Sequence, residues 1–294
     1  MSSSFKILIT GKDSYIGTSL EGYLSGFEGR YEVDTLDMLD SSWREFDFSP
    51  YDAVFHVAGI AHSDSGRILP EKEKLYYAVN TDLTIECAKK AKDDGARAFI
   101  FMSSAIVYGE SAPIGKSKVI GRDTPPCPHN CYSNSKLLAE KGLAELEDGS
   151  FAVVILRPPM IYGKGSKGNY PLLSRLAGKT PVFPYVNNQR SVLYVGNLCE
   201  FVRLMIENHE RGVFHPQNRE YISTSELVRK IRECRGGRMR LIKGFGWLLR
   251  LASHITPLVN KAFGSFCYDM SISEYKEDYR KYSLEESVAL TEKE

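Results

Sequence analysis

The feature that most limits how this chain can fold is its opening. Phe5-Lys6-Ile7-Leu8-Ile9-Thr10 reads as a buried strand. Gly11 follows at once, and the turn Lys12-Asp13-Ser14-Tyr15-Ile16-Gly17 leads into a helix with Ile16, Leu20, Leu24 and Phe27 on one face. The alternation continues. Strands are expected at 31–36, 52–57, 98–102 and 151–156, and helices at about 71–92, closed by Asp94-Gly95, and at 132–146. Short apolar strands alternating with helices imply an α/β fold. It is a doubly wound parallel sheet with helices on both faces, binding its ligand beyond the carboxyl ends of the strands.

Past Arg157 the alternation loosens. Pro158, Pro159, Pro171, Pro181, Pro184 and Pro216 interrupt it, and glycines gather at 163, 165 and 168. The expected organisation is a nucleotide-binding sheet domain over 1–160, with some later segments returning to the sheet, and a smaller C-terminal substrate-binding part over 161–294. Within that second part Ser223-Thr224-Ser225-Glu226 is a capping-box signature for a helix through Leu227, Ile231 and Cys234.

With 38 Lys and Arg against 37 Asp and Glu, the net charge of +1 argues against a nucleic-acid binder but leaves room for a local anion pocket. The apolar run Ile7-Leu8-Ile9 is too short for a signal-peptide core. Six scattered cysteines suit reduced thiols, so a cytoplasmic location is expected. Cys127, His129 and Cys131 lack a second ligand pair at zinc spacing, and no metal is expected. The stretch Phe245 to Phe263, interrupted by Arg250, His254 and Lys261, is not a spanning helix. It reads as an amphipathic helix packed on the domain, the alternative being a helix lying on a membrane surface.

Two constellations carry chemistry. Gly11 and Gly17 frame a strand-to-helix turn whose backbone amides can approach a pyrophosphate at the helix N-terminus, and Asp37, twenty residues on, ends the second strand, where a carboxylate can take an adenosine ribose. Taken alone, Asp37 is equally a solvated loop residue. The second is Tyr132-Ser133-Asn134-Ser135-Lys136 with Ser103-Ser104 at a strand end. Four residues apart on a helix, Tyr132 and Lys136 share a face, and an ammonium beside a phenol lowers its pKa for proton transfer. Without the upstream turn, the same spacing would be an ordinary surface Tyr and Lys.

With these residues the chain resembles the extended short-chain dehydrogenases/reductases, the NAD-dependent epimerase/dehydratase family. The resemblance covers residues 5 to about 235. It rests on Thr10-Gly11 to Gly17, Phe55-His56-Val57-Ala58-Gly59, Val79-Asn80-Thr81, Met102 to Gly109, Tyr132 to Lys136 and Leu156 to Gly163. It implies a Rossmann-type sheet that binds NAD, with NADP as the alternative. Tyr132 is then the acid/base, Lys136 its partner and nicotinamide-ribose ligand, and Ser104 the partner of the substrate hydroxyl. Gly11, Ser14, Tyr15, Ile16, Gly17, Asp37, Asp47, Phe48, Ala58, Gly59, Asn80, Ser103 and Pro159 would surround the cofactor. Family members also pair through two helices, here 71–92 and 132–146, which implies a homodimer.

The resemblance further implies a UDP-sugar substrate. Arg190 stands where nucleotide-sugar enzymes clamp the diphosphate, a role suited to a planar fixed charge. Its bland reading is a surface arginine at a strand start. Asn169 matches a diphosphate contact, and Val182-Phe183 resembles the segment beside the uracil. Ser14 replaces the usual middle glycine, and Ser104-Ala105-Ile106 lacks the Asp-Glu pair of sugar dehydratases. Pro158-Pro159-Met160 replaces the epimerases' aromatic-Phe-Asn. The nearest likeness is to bacterial surface-polysaccharide enzymes that reduce UDP-4-keto-6-deoxy-N-acetylhexosamines. A UDP-glucose or UDP-GlcNAc 4-epimerase is the alternative, and a non-catalytic dinucleotide-binding regulator is the alternative of another class. The stretch from Gly109 to His129 is open between a substrate lid and a solvated loop.

Overall fold

A computed structural model describes residues 4–60, 69–255 and 257–293, and its side chains are described outside 254–258. The strand β1 (Phe5–Thr10) is buried on both faces, with Ile7, Leu8 and Ile9 all fully enclosed. The turn leads into α1 (Tyr15–Leu24), which is capped by Ser14, whose Oγ accepts the Gly17 N–H at 3.2 Å. Phe27 lies beyond the helix end. β2 (Tyr31–Leu36) and β3 (Ala53–His56) then pair with β1 from opposite sides, Thr10 standing opposite Leu36 on one and His56 on the other.

The helix expected at 71–92 is two helices, α2 (Pro70–Tyr77) and α3 (Leu83–Asp94), joined through a wide π-turn at Ala78–Asp82. The turn aims two buried polar groups at one residue, Ser135. Asn80 Nδ2 donates to Ser135 Oγ at 3.1 Å, and Thr81 Oγ1 donates to the Ser135 carbonyl at 2.8 Å. A regular helix would satisfy its own backbone but could not aim both side chains at one partner. Gly95, at φ +103°, ends α3 in the left-handed conformation.

The chain continues through β4 (Ala98–Met102), β5 (Val119–Ile120), α4 (Cys131–Ala144), β6 (Ala152–Leu156), β7 (Met160–Tyr162), α5 (Asn169–Lys179), β8 (Val182–Pro184) and β9 (Val192–Tyr194). It then forms α6 (Val195–Glu207), β10 (Gly212–Phe214), α7 (Thr224–Cys234), β11 (Arg240–Ile242), α8 (Gly246–Ile255), α9 (Pro257–Phe263), β12 (Cys267–Tyr268) and α10 (Leu284–Glu292). Six strands make one parallel sheet in the order β10-β6-β4-β3-β1-β2. Ile7, Ile9 and Ile100 point to the face packed by Leu20, Leu198 and Phe201 of α1 and α6. Leu8, Phe99 and Phe101 point to the opposite face, against Cys87, Ala88, Ala139 and Leu143 of α3 and α4. The alternation of the pleat thus splits one apolar run between two cores, each fully buried large side chain contributing roughly 1.5–3 kcal/mol.

Two late elements, α6 and β10, join this sheet body. A separate core unites Tyr162, Tyr170, Leu173, Phe183, Leu227 and Ile231. β5 pairs with β12, tying the loop from Gly109 to His129 to the C-terminal segment, and Lys118 Nζ folds back onto the carbonyls of Tyr108 and Glu110. Only half of the expected capping box forms at α7. Ser223 Oγ accepts the Glu226 N–H, but the Glu226 carboxylate pairs with Arg229 at 2.5 Å instead of reaching back.

His56 is fully buried between Thr10 Oγ1 and Thr84 Oγ1, at 2.7 and 3.1 Å, and burial pushes its pKa down to about 3. Burial, with Arg157 adding, pushes His215 down to about 4. Between these values and about 6.5 the unfolded chain binds more protons than the folded one, so stability is lost as the pH is lowered through that window and regained as it rises. At pH 5 each histidine should cost about 2 kcal/mol relative to pH 7. Denaturant titration at the two pH values checks this, and a His56→Asn variant with an undiminished pH slope would refute the assignment.

Candidate active site

The strand order reverses across β1, so a crevice opens between the carboxyl ends of β1 and β3, where doubly wound sheets hold their ligands. Gly11 sits on its floor at φ +119°. A Cβ there would lie 2.8 Å from the Ala58 nitrogen and 3.1 Å from its Cα. Gly11 and Lys12 donate to the Leu36 carbonyl at 2.9 and 3.2 Å, while Ala58 donates to Thr10 O, so the turn is clamped between β2 and β3. At Gly17 a Cβ would meet Ser14 Oγ at 2.6 Å and Ile9 Cγ2 at 3.0 Å. Ser14 therefore serves as a helix cap, with its hydroxyl occupying part of the space above Gly17. Gly11→Ala combines a strained φ with a backbone clash. It should cost about 2–4 kcal/mol and abolish nucleotide retention, measured by thermal unfolding and by the nucleotide released on denaturation.

Asp37 stands exposed just past β2, its Oδ1 accepting the Leu39 N–H at 2.9 Å. Asp47 is exposed as well, and hydrogen bonds from Ser49 hold its carboxyl below the usual range. Phe48 departs from expectation. Its ring is wholly inside the second core and its N–H donates to Asp94 Oδ2 at 3.0 Å, so neither is available to a nucleotide. Tyr15 packs its hydroxyl beneath Gly163, with no hydrogen-bond partner among the described residues, and Ile16 lies partly buried against the first core. Pro159 is buried between β6 and β7. Asn80 grips the backbone of Ile60 from both sides, accepting from its N–H at 2.8 Å and donating to its carbonyl at 3.1 Å, which fixes the loop carrying Ala58 and the exposed Gly59.

α4 begins at a reciprocal cap between Asn130 and Ser133, which sets Tyr132 at its mouth. Tyr132, Lys136 and Glu140 follow at four-residue intervals on one face. Lys136 Nζ donates to the Met102 carbonyl at 2.9 Å, lies 4.6 Å from the Phe101 ring centre, and would stand 3.2 Å from a Cβ at Gly59. Burial lowers its pKa to about 8, with Glu140 opposing the shift. The sequence predicts a phenol pKa lowered by Lys136. Instead, burial raises that of Tyr132, and the side chain working against burial is Ser104, which caps the 3-10 turn after β4 through the Ile106 N–H at 3.3 Å. The ammonium is directed at a backbone carbonyl, and among the described residues no hydrogen bond joins it to the phenol.

A buried network beneath this face has no counterpart in the sequence reading. Glu140 accepts from Arg157 Nε at 3.1 and 3.2 Å and from Nη2 at 2.5 Å, and Ser103 Oγ also donates to it. Arg157 Nη1 reaches the Tyr108 hydroxyl, which meets His215 Nε2, both at 2.7 Å. The helical spacing of Glu140 after Lys136 was the available signal.

On the C-terminal side a pocket brings together Asn169 and Arg190 with Met160, Ser223, Thr224 and Lys261. Arg190 Nη1 donates only to backbone, to Lys261 O at 2.9 Å and Gly264 O at 3.1 Å, and burial lowers the guanidinium's pKa. Among the described residues no carboxylate pairs with it. Val182 and Phe183 lie apart from this pair, in a neighbouring apolar groove with Ile242, Phe245 and Leu249.

Residues 7–218 match the model of the NAD dependent epimerase/dehydratase family. The chain belongs to that family. The UDP-glucose 4-epimerase of Vibrio cholerae is 32% identical over 250 residues, covering 76% of this chain and 74% of that protein. The UDP-2-acetamido-2,6-beta-L-arabino-hexul-4-ose reductase of Pseudomonas aeruginosa is 25% identical over 285 residues, 91% of this chain and 66% of its own length. In structure, a Bacillus cereus UDP-glucuronic acid 4-epimerase in complex with NAD superposes with a TM-score of 0.71 over 97% of both chains at 17% identity, a likeness of fold. As a family member this chain is an NAD-dependent enzyme of the extended short-chain dehydrogenase/reductase type. The crevice fits such a cofactor: backbone takes the place of a side chain at Gly11, and the open Gly59 lies beside a buried ammonium.

Proposed function

We propose that this chain reduces the C4 carbonyl of a UDP-4-keto-6-deoxy-N-acetylhexosamine in a surface-polysaccharide route. The observation that carries the nucleotide-diphosphate part is the pocket uniting Asn169 with a half-buried Arg190 that pairs with no carboxylate among the described residues, since a partly desolvated guanidinium is stabilised by a bidentate anion. When bound, the nicotinamide supplies the hydride. Tyr132 gives its phenolic proton to the C4 oxygen as the carbonyl becomes an alcohol. Ser104 orients that oxygen, and solvent restores the phenol. Burial keeps Tyr132 protonated near neutrality, which suits donation to a ketone better than removal of a proton from an alcohol. In the same reading Lys136 and Asn80 order the nicotinamide ribose, Asp37 takes the adenosine ribose, and copies pair through α2 and α4, where Leu75 and Leu138 stand exposed.

The test is the loss of NADH or NADPH absorbance with a UDP-4-keto-6-deoxy-N-acetylhexosamine, one equivalent of cofactor per product. A 4-epimerase is the second reading, favoured by the Vibrio cholerae relative. It requires the protein to interconvert UDP-glucose or UDP-GlcNAc with the galacto forms on its own tightly held NAD. That result, without net cofactor consumption, overturns the reductase. Arg190→Leu should raise KM about 100-fold or more with a smaller change in kcat, because it removes a diphosphate contact remote from C4.

A further inference from the structure

We propose that α8 and the loop leading into it form a docking face for an anionic lipid surface, lying among the headgroups without crossing the bilayer. Between Glu233 and Asp269 the chain contains no acidic residue but carries Arg235, Arg238, Arg240, Lys243, Arg250 and Lys261. The chain as a whole has a net charge of only +1, so this segment is a concentrated positive region on an otherwise negative molecule. Arg235 is paired with Glu292, whereas Arg238, Arg240 and Lys243 are exposed.

Of the four exposed positions of α8 whose side chains are described, three are apolar and the fourth is Arg250. Trp247 is 69% exposed, Leu251 56% and Leu248 44%, and Phe245 just before the helix is 44% exposed. Residues three and four apart share a helix face, so Trp247, Leu248 and Leu251 form one continuous stripe. Leu249 is half-buried and, with one side of Phe245 and Leu248, lines the groove of Phe183 and Ile242, so the helix lies against β8 and β11 while Trp247 and Leu251 stay outside that groove. A contiguous stripe of this kind marks an interaction surface.

Charge selects the occupant. An aromatic and leucine stripe flanked by arginine and lysine matches the chemistry of an anionic headgroup layer over acyl chains. A second copy of this chain would instead set one positive segment against another. The ten residues of α8 span about 15 Å, half of a hydrocarbon core, and among the described residues no helix is long and apolar enough to cross a membrane. The face is also continuous with the candidate site, because α9 follows directly and its Lys261 and Ala262 line the pocket of Asn169 and Arg190.

Co-sedimentation of the full chain with mixed phosphatidylglycerol and phosphatidylcholine vesicles, against pure phosphatidylcholine, tests the proposal. Binding to the mixed vesicles alone, weakened by salt, is expected. Of the two tryptophans Trp43 is buried, so a blue shift on binding reports Trp247. Trp247→Ser/Leu251→Ser should weaken partitioning about tenfold or more, and Arg240→Gln/Lys243→Gln about fivefold per charge. Thermal melts of both variants establish that they fold. No binding to mixed vesicles, or undiminished binding by both variants, overturns the proposal. Self-association abolished by Trp247→Ser/Leu251→Ser without vesicle binding assigns the face to a second copy and overturns it equally.

Discussion

Tyr132→Phe should lower kcat about 100- to 10,000-fold while leaving the fold and cofactor retention intact. The change removes one oxygen from a ring that otherwise keeps its place at the mouth of α4, 6.0 Å from the Tyr76 ring. Ser104 remains to orient a substrate oxygen but has no comparable proton to give at neutral pH. The loss should therefore appear in kcat far more than in KM, the pattern of an interaction made in the transition state. Burial lowers the Lys136 pKa to about 8, so the wild-type rate should also decline as pH rises through that value and the ammonium discharges. Steady-state kinetics across pH 6 to 9 check both statements, in that roughly neutral-to-alkaline range where the lysine titrates. Unchanged turnover by Tyr132→Phe would remove Tyr132 as the acid and leave a binding role for the crevice.

Arg157→Met is expected to have the largest effect on stability. The pair with Glu140 is nearly enclosed, with 11% of the arginine side chain and 4% of the carboxylate exposed. Deleting the guanidinium strands a buried carboxylate whose remaining side-chain donor is Ser103, and it strips Tyr108 of one partner. Breaking such a pair from one side costs about 3–5 kcal/mol, on the order of 10 °C in Tm for a chain of this size. Replacing both members, as in Glu140→Leu/Arg157→Met, removes the stranded charge as well and should recover more than half of the loss. Calorimetry on the two variants distinguishes the cases. A single variant within about 1 kcal/mol of the parent would show that the network is solvated.

The Tyr132-Lys136 spacing was legible because it is local. Tyr132 and Lys136 lie one helical turn apart, and a cap at Asn130 starts that helix whatever the distant chain does. The Gly11 turn was legible for the same reason. Asn169 and Arg190, on different elements, were linked only by resemblance, and the fold brings both to one pocket. Phe48, Val182 and Phe183 show the limit. An apolar residue near a motif is equally suited to a core, and packing put Phe48 wholly inside one.

By itself, then, the sequence determined the alternation of buried strands and helices, the glycine turn at the head of the sheet, and the Tyr132-Lys136 face. Periodicity, capping and turn chemistry act over a few residues and are written in consecutive positions. Tertiary structure alone decided that α2 and α3 break around Asn80, that Lys136 points at Met102 while burial raises the Tyr132 pKa, and that Glu140, Arg157, Tyr108 and His215 join in one buried network. Those outcomes depend on which polar groups lose water together. Residues more than a hundred positions apart settle that only when their elements pack.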